Sequence, residues 1–132
     1  MADETILIID DNSDTRLLLS LRLKAQGYQT VFSIDVLEAI TRARQAQPDV
    51  ILLDSGIPSS KGFRVLERLK AISTLAAIPV IIVGAEEPAV AQAKALAIGA
   101  AAYIQRLVDQ RTLVETIEKA LASSHKLAKT GE

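Results

Sequence analysis

Two stretches decide the fold: Ile6-Leu7-Ile8-Ile9-Asp10-Asp11-Asn12 and Asp49-Val50-Ile51-Leu52-Leu53-Asp54. Each is a short aliphatic run that stops on a carboxylate. Continuous apolar runs of this length, bounded by turn-forming residues, read as strands buried on both faces, which is the habit of parallel sheets. In an open parallel sheet, ligands collect beyond the carboxyl ends of neighbouring strands. Asp10, Asp11 and Asp54 are therefore expected to share one acidic pocket. Close carboxylates repel one another and raise each other's pKa, and the usual relief is a hard divalent cation held by oxygen ligands. Magnesium fits best. It commonly binds one or two carboxylates plus waters and phosphate oxygens, which leaves a third carboxylate free as a nucleophile toward a phosphoryl group.

Outward from these runs, strand-like and helical segments alternate along the whole chain, and the pattern predicts an α/β fold with a parallel sheet covered on both faces. Strands are predicted at Thr5 to Ile9, Gln29 to Phe32, Val50 to Leu53, Pro79 to Val83 and Ala101 to Ile104. The first helix is capped by Asn12 or Ser13, carries Leu17, Leu18, Leu21 and Ala25 at spacings of three and four, and stops at Gly27. The second, Asp35 to Gln45, turns Leu37, Ile40 and Ala43 inward, and Pro48 then forces Gln47 to be extended. The third, Phe63 to Ile72, shows Phe63, Leu66 and Leu69 on one side. Pro88 suits a first helical position, with Glu86 and Glu87 at the positive end of the fourth helix, which ends at Gly99. The last helix, Gln110 to Ala122, puts Leu113, Val114, Ile117 and Leu121 on one face. Residues 123–132 read as a polar tail or linker stub after a domain at 1–122, and His125 as a solvated tail residue.

Composition narrows the function classes. A chain of 132 residues with 49% apolar content closes one core without disulfides or structural zinc. It has no cysteine, which removes thiolate nucleophiles and cysteine metal sites and suits a reducing, cytoplasmic setting. The first apolar run stops at Asp10, so neither a signal peptide nor a membrane span is expected. A net charge of -1 and 3% aromatic content argue against direct nucleic-acid binding.

Four ordered segments resemble the receiver domain of two-component response regulators, over residues 5 to 122. Ile8-Ile9-Asp10-Asp11-Asn12 resembles the acidic pair after the first strand, and Asp49-Val50-Ile51-Leu52-Leu53-Asp54 the phosphoacceptor strand, with Pro58 and Gly62 where the family keeps a proline and a glycine. Ile78-Pro79-Val80-Ile81-Ile82-Val83 resembles the fourth strand, and Gly99-Ala100-Ala101-Ala102-Tyr103-Ile104 the turn and fifth strand. The resemblance implies a flavodoxin-like sheet of order 2-1-3-4-5 with five helices. It also implies Mg2+ held by Asp10, Asp11 and Asp54 with the backbone carbonyl of Gly56, and Asp54 as acceptor of a phosphoryl group from a histidine kinase or phosphotransfer protein. Output would pass to a downstream protein partner or a fused output domain, with no nucleic acid or membrane contacted and no enzymatic turnover beyond self-catalysed transfer.

Three positions depart from the family pattern. The Ser or Thr that ends the fourth strand is Gly84, the Lys after the fifth strand is Arg106, and the proline behind it is Leu107. Gly84 removes a hydroxyl donor, and a hydrogen bond to a charged group is worth roughly 1.5–3 kcal/mol against the about 5.5 kcal/mol needed to move a switch from mostly off to mostly on. Arg106 keeps a charge but replaces a compact ammonium with a larger planar fork, able to pair with Asp54 before any phosphate arrives. Leu107 makes the following loop trans. Tyr103, at the aromatic switch position, reads as an ordinary sheet-edge residue. These departures define the alternative, a pseudo-receiver acting as a phosphorylation-independent interaction module. A magnesium-dependent phosphatase with an aspartyl nucleophile would want acids two apart on the first loop, where this chain has Asn12.

Overall fold

The computed structural model describes residues 3–56, 61–106 and 109–130. Five parallel strands form one sheet in the order β2-β1-β3-β4-β5. They are β1 (Thr5–Ile9), β2 (Gln29–Ser33), β3 (Val50–Asp54), β4 (Val80–Gly84) and β5 (Ala102–Gln105), separated by α1 (Ser13–Ala25), α2 (Val36–Ala46), α3 (Lys61–Ala71) and α4 (Pro88–Ile98) and followed by α5 (Gln110–Thr130). The expected sheet order is the observed one. Where order reverses, between β1 and β3, their carboxyl ends lie side by side: Ile9 pairs with Leu53.

The aliphatic runs behave as their lack of alternation requires. All five residues of β3 and of β4 are buried, because helices cover both faces of the central strands. One layer of core packs Leu7, Ile9, Ile51, Leu53 and Ile82 against α2, α3 and α4; the other packs Ile6, Ile8, Leu52 and Ile81 against Leu19 and Leu23 of α1 and Leu113 and Ile117 of α5. Edge strand β2 is only partly buried.

Several local expectations need correction. On α1 the buried residues are Leu19, Ser20 and Leu23, while Leu17, Leu18 and Leu21 are exposed. With leucines on most sides of the helix, spacing alone does not select a face, and the Ser20 hydroxyl faces inward because it bonds Thr30 Oγ1 at 2.9 Å. On α2 the core residues are Ala39 and Ala43, with Ile40 partly buried; Leu37 is 86% exposed. Small alanines let this helix lie close to the sheet. Gln47 is not extended but left-handed, with φ 44° and ψ 59°, and its backbone N-H donates to the Ala43 carbonyl. Closing the helix outweighs the pre-proline bias, which disfavours the right-handed helical region but leaves the left-handed one available. β4 and β5 end one residue later than expected, so Gly84 belongs to a strand. Helix α5 continues through Thr130, since nothing between Ala122 and Gly131 in the sequence breaks a helix. The expectations on Pro58, on the loop at Leu107 and on the His125 side chain lie outside the described residues.

Candidate functional site

Asp10, immediately after β1, and Asp54, the last residue of β3, are each 4% exposed, whereas Asp11 is open to solvent. One carboxylate oxygen from each of the three falls within 4.8 Å of the others, so the acids expected to meet do meet. Local chemistry holds them there. Asp10 continues the sheet edge, its N-H donating to the Ser33 carbonyl at 3.1 Å, and its Oδ1 accepts from the Asn12 N-H at 2.9 Å. Asn12 in turn caps α1, its Oδ1 accepting from the Thr15 N-H. Arg16, one turn into α1, donates to the Asp10 carbonyl at 2.8 Å. Arg16 is thus a clamp on the acidic loop, which only the helix register reveals.

Burial pushes the Asp10 carboxyl up to about 6 from its usual 3.8; the Asn12 N-H opposes the rise, the Asp54 charge adds to it, Arg106 opposes it and Asp11 adds a little. A buried carboxylate with two acidic neighbours is a poor resting arrangement without a cation, which is the electrostatic signature of a hard-metal site.

That cation is supplied in part by the chain itself. Arg106, just after β5, pairs with Asp54 Oδ1 through its guanidinium. Its backbone N-H donates to the Gly84 carbonyl at 2.7 Å, fixing the side chain's origin beside β4. Burial works against the Arg106 charge, yet the hydrogen bond and charge of Asp54, with Asp10 and Asp11 behind it, hold the guanidinium above its ordinary pKa. Asp54 Oδ1 also accepts from the Gly56 N-H at 2.9 Å, so among the described residues Oδ2 is the oxygen without a donor.

Two glycines make room for this arrangement. A Cβ on Gly56 would stand 3.0 Å from the Arg106 guanidinium and 3.4 Å from Asp54 Oδ1, inside the space where cation and acid meet. One on Gly62 would strike the Asp54 carbonyl and the Ser55 Cα at 2.7 Å, so the start of α3 packs against the end of β3 only with glycine there.

Fit to magnesium follows from the donor set: three carboxylates, all hard oxygens, in a cluster small enough for a short-bonded octahedral cation. Arg106 competes for one of those oxygens but leaves Asp54 Oδ2, Asp10 and Asp11 available.

On the other half of the same edge the features differ. Tyr103 is buried, and its hydroxyl donates to the Glu86 carbonyl at 2.6 Å, drawing the start of the β4-α4 loop over the ring. Burial, with the Glu86 charge, pushes its hydroxyl above the ordinary pKa, so it remains a donor. Tyr103 does lie on the edge strand β5, as expected, and it is at the same time buried and bonded to the loop. A larger cavity of about 750 Å3, lined among others by Lys70, Pro79, Thr116 and Lys119, lies at the opposite pole of the sheet and holds no acidic cluster. Among the described residues no helix is long and apolar enough to cross a membrane.

Comparison with known proteins agrees with this geometry. Residues 6–118 match the family model of the response regulator receiver domain. The chain is 33% identical to Protein PilH of Pseudomonas aeruginosa, over 89% of this chain and 97% of that protein. It is 30% identical to sporulation initiation phosphotransferase F of Bacillus subtilis, over 92% and 96%. Among solved structures, chemotaxis protein CheY4 of Vibrio cholerae superposes with a TM-score of 0.83 at 26% identity, covering 91% of this chain and all of that one.

Proposed function

The chain belongs to the response regulator receiver domain family of two-component signalling, and from that premise we propose that it accepts a phosphoryl group on Asp54 from a histidine kinase or phosphotransfer protein. The observation that carries the reading is the convergence of Asp10, Asp11 and Asp54 from two strand ends to within 4.8 Å. In the transfer, an Asp54 carboxylate oxygen attacks phosphorus in line as the P-N bond of a phosphohistidine breaks, and the imidazole leaves with the bonding pair; an acyl phosphate replaces the carboxylate. Asp54 Oδ2, without a donor among the described residues, is the oxygen free to attack, while the Gly56 N-H fixes the carboxylate plane through Oδ1. Asp10 and Asp11, with the carbonyl of Gly56, would hold Mg2+, which supplies charge neutralisation between donor phosphate and acceptor acid. Arg106 stays close to the transferred oxygens and balances their charge in the position of the family's lysine. The domain is proposed to work in the cytoplasm and to pass its state to a partner protein or an output domain, without direct contact to nucleic acid or membrane.

A second reading, a pseudo-receiver that docks partners without phosphate, draws on one observation: Arg106 already neutralises Asp54. The two separate on incubation with Mg2+ and a small acyl-phosphate donor, followed by intact mass. A gain of one phosphoryl group, absent from Asp54→Asn, supports the receiver; no gain at any metal concentration supports the pseudo-receiver.

A further inference from the structure

Gly84 leaves a space at the end of β4, one residue past the partner of Asp54, that is not empty. A Cβ built on Gly84 would fall 2.5 Å from Ser55 Oγ and 2.6 Å from the Tyr103 hydroxyl. Two hydroxyls from other elements thus occupy the volume that a side chain at 84 would take. They got there by different routes. Asp54 pairs with Val83, and the Ser55 N-H donates to the Val83 carbonyl at 3.0 Å, so the ladder extends one residue past Asp54 and sets Ser55 beside Gly84. Neighbours across a ladder project to the same face of the sheet, and the Ser55 side chain therefore enters the place its partner leaves vacant. Tyr103 arrives from β5, across the pairing of Ile82 with Tyr103.

Of the two hydroxyls only one is free to act. Tyr103 spends its proton on the Glu86 carbonyl. Ser55 is half-buried, directly follows the acceptor acid, and its hydroxyl makes no hydrogen bond among the described residues. A hydroxyl carries one donor on a freely rotating bond, so it reorients toward a new oxygen without moving the backbone. We propose that Ser55 supplies, from the residue after the acceptor, the hydroxyl that Gly84 lacks: its Oγ-H donates to an oxygen of the phosphoryl group on Asp54. The inference rests on Asp54 being the acceptor and adds a phosphoryl-contacting residue to it. It also alters what phosphate reports. A hydroxyl on the β4-α4 side draws that loop toward the phosphate, whereas Ser55 is fixed to the end of β3 and stabilises the phosphoryl group without pulling the loop.

The test compares Asp54 phosphorylation by acetyl phosphate and Mg2+, followed by intact mass, in the wild type, Ser55→Ala, Ser55→Thr and Tyr103→Phe, each checked for an unchanged melting profile. With the contact present, Ser55→Ala slows uptake by about tenfold or more, Ser55→Thr recovers most of the rate, and Tyr103→Phe changes it by less than about twofold. Uptake in Ser55→Ala equal to wild type, or loss in Tyr103→Phe instead, overturns the role of Ser55 while leaving Asp54 as acceptor. No uptake by the wild type overturns both.

Discussion

The two halves of the sheet's carboxyl edge differ in kind. At the ends of β1 and β3 the chain keeps the acid cluster on which the proposed transfer relies: a buried Asp10, a buried Asp54, an exposed Asp11, and helix α1 locked to the loop by Asn12 and Arg16. At the ends of β4 and β5 the groups that would read the event are changed or already engaged. Position 84 has no side chain, Tyr103 is bonded to Glu86, and Arg106 is paired with Asp54. Accepting a charge and reporting it are physically separable tasks. The first needs convergent oxygens on rigid strand ends, and the second needs an element whose two positions differ in contact with phosphate. Here the convergent oxygens are present, and the reporting side has lost a donor.

The sharpest way to break this contrast is at the acceptor. Asp54→Asn is expected to abolish phosphoryl gain completely while leaving the fold in place, checked by intact mass beside a circular dichroism melt; persistent uptake in the variant would move the chemistry to another residue.

Next in size is the proton linkage of Asp10. Folding raises its pKa from 3.8 to about 6, so ionisation costs the native state. That cost is absent below the unfolded value, grows between 3.8 and about 6, and is complete above, so this group's contribution to metal-free stability falls as pH rises through that window. Its full size is on the order of 3 kcal/mol. Urea denaturation of wild type and Asp10→Asn, without metal, should show the variant gaining on the wild type between about pH 4 and about pH 7. A constant difference would mean that Asp10 is not strained by its burial.

Arg106→Ala probes the bridge between the halves. Its side chain is 39% exposed against a 4% exposed acid, so solvent screening trims the pair, and removal should cost roughly 1–2 kcal/mol of metal-free stability. The same change removes a competing cation and should tighten Mg2+ binding severalfold by calorimetry; weaker binding would show that Arg106 organises the acids rather than competing for them. The smallest effect belongs to Tyr103→Phe. Loss of its bond to Glu86 should cost about 1 kcal/mol and loosen the β4-α4 loop, seen as faster amide exchange at Ala85 to Glu87. Unchanged exchange would mean that the loop is held by something else.

Much of this was legible from residues alone because the informative signals were short and unidirectional. Aliphatic runs ending in acids fix both the strands and the side of the sheet where the acids emerge, so the pocket of Asp10, Asp11 and Asp54 follows from topology. Helix faces were less legible. Leucines at 17, 18, 19, 21 and 23 leave α1 without a single apolar stripe, and on α2 the contact is made by alanines while Leu37 points outward. Gln47 shows a local rule giving way to the need to close a helix. The pairing of Gly84 with Ser55 is invisible in sequence, since it depends on the register of two strands separated by a whole helical crossover.

The central claim, that the acid half of the edge takes the phosphoryl group while the β4-β5 half barely responds, is tested most directly by amide spectra of the whole chain with Mg2+, before and after acetyl phosphate. Large shifts at Asp10, Asp11 and Asp54 to Gly56, with small ones at Gly84 to Glu87 and Tyr103, are the expected result. Shifts at Gly84 to Glu87 and Tyr103 as large as those at the acids, or none at the acids, would contradict it.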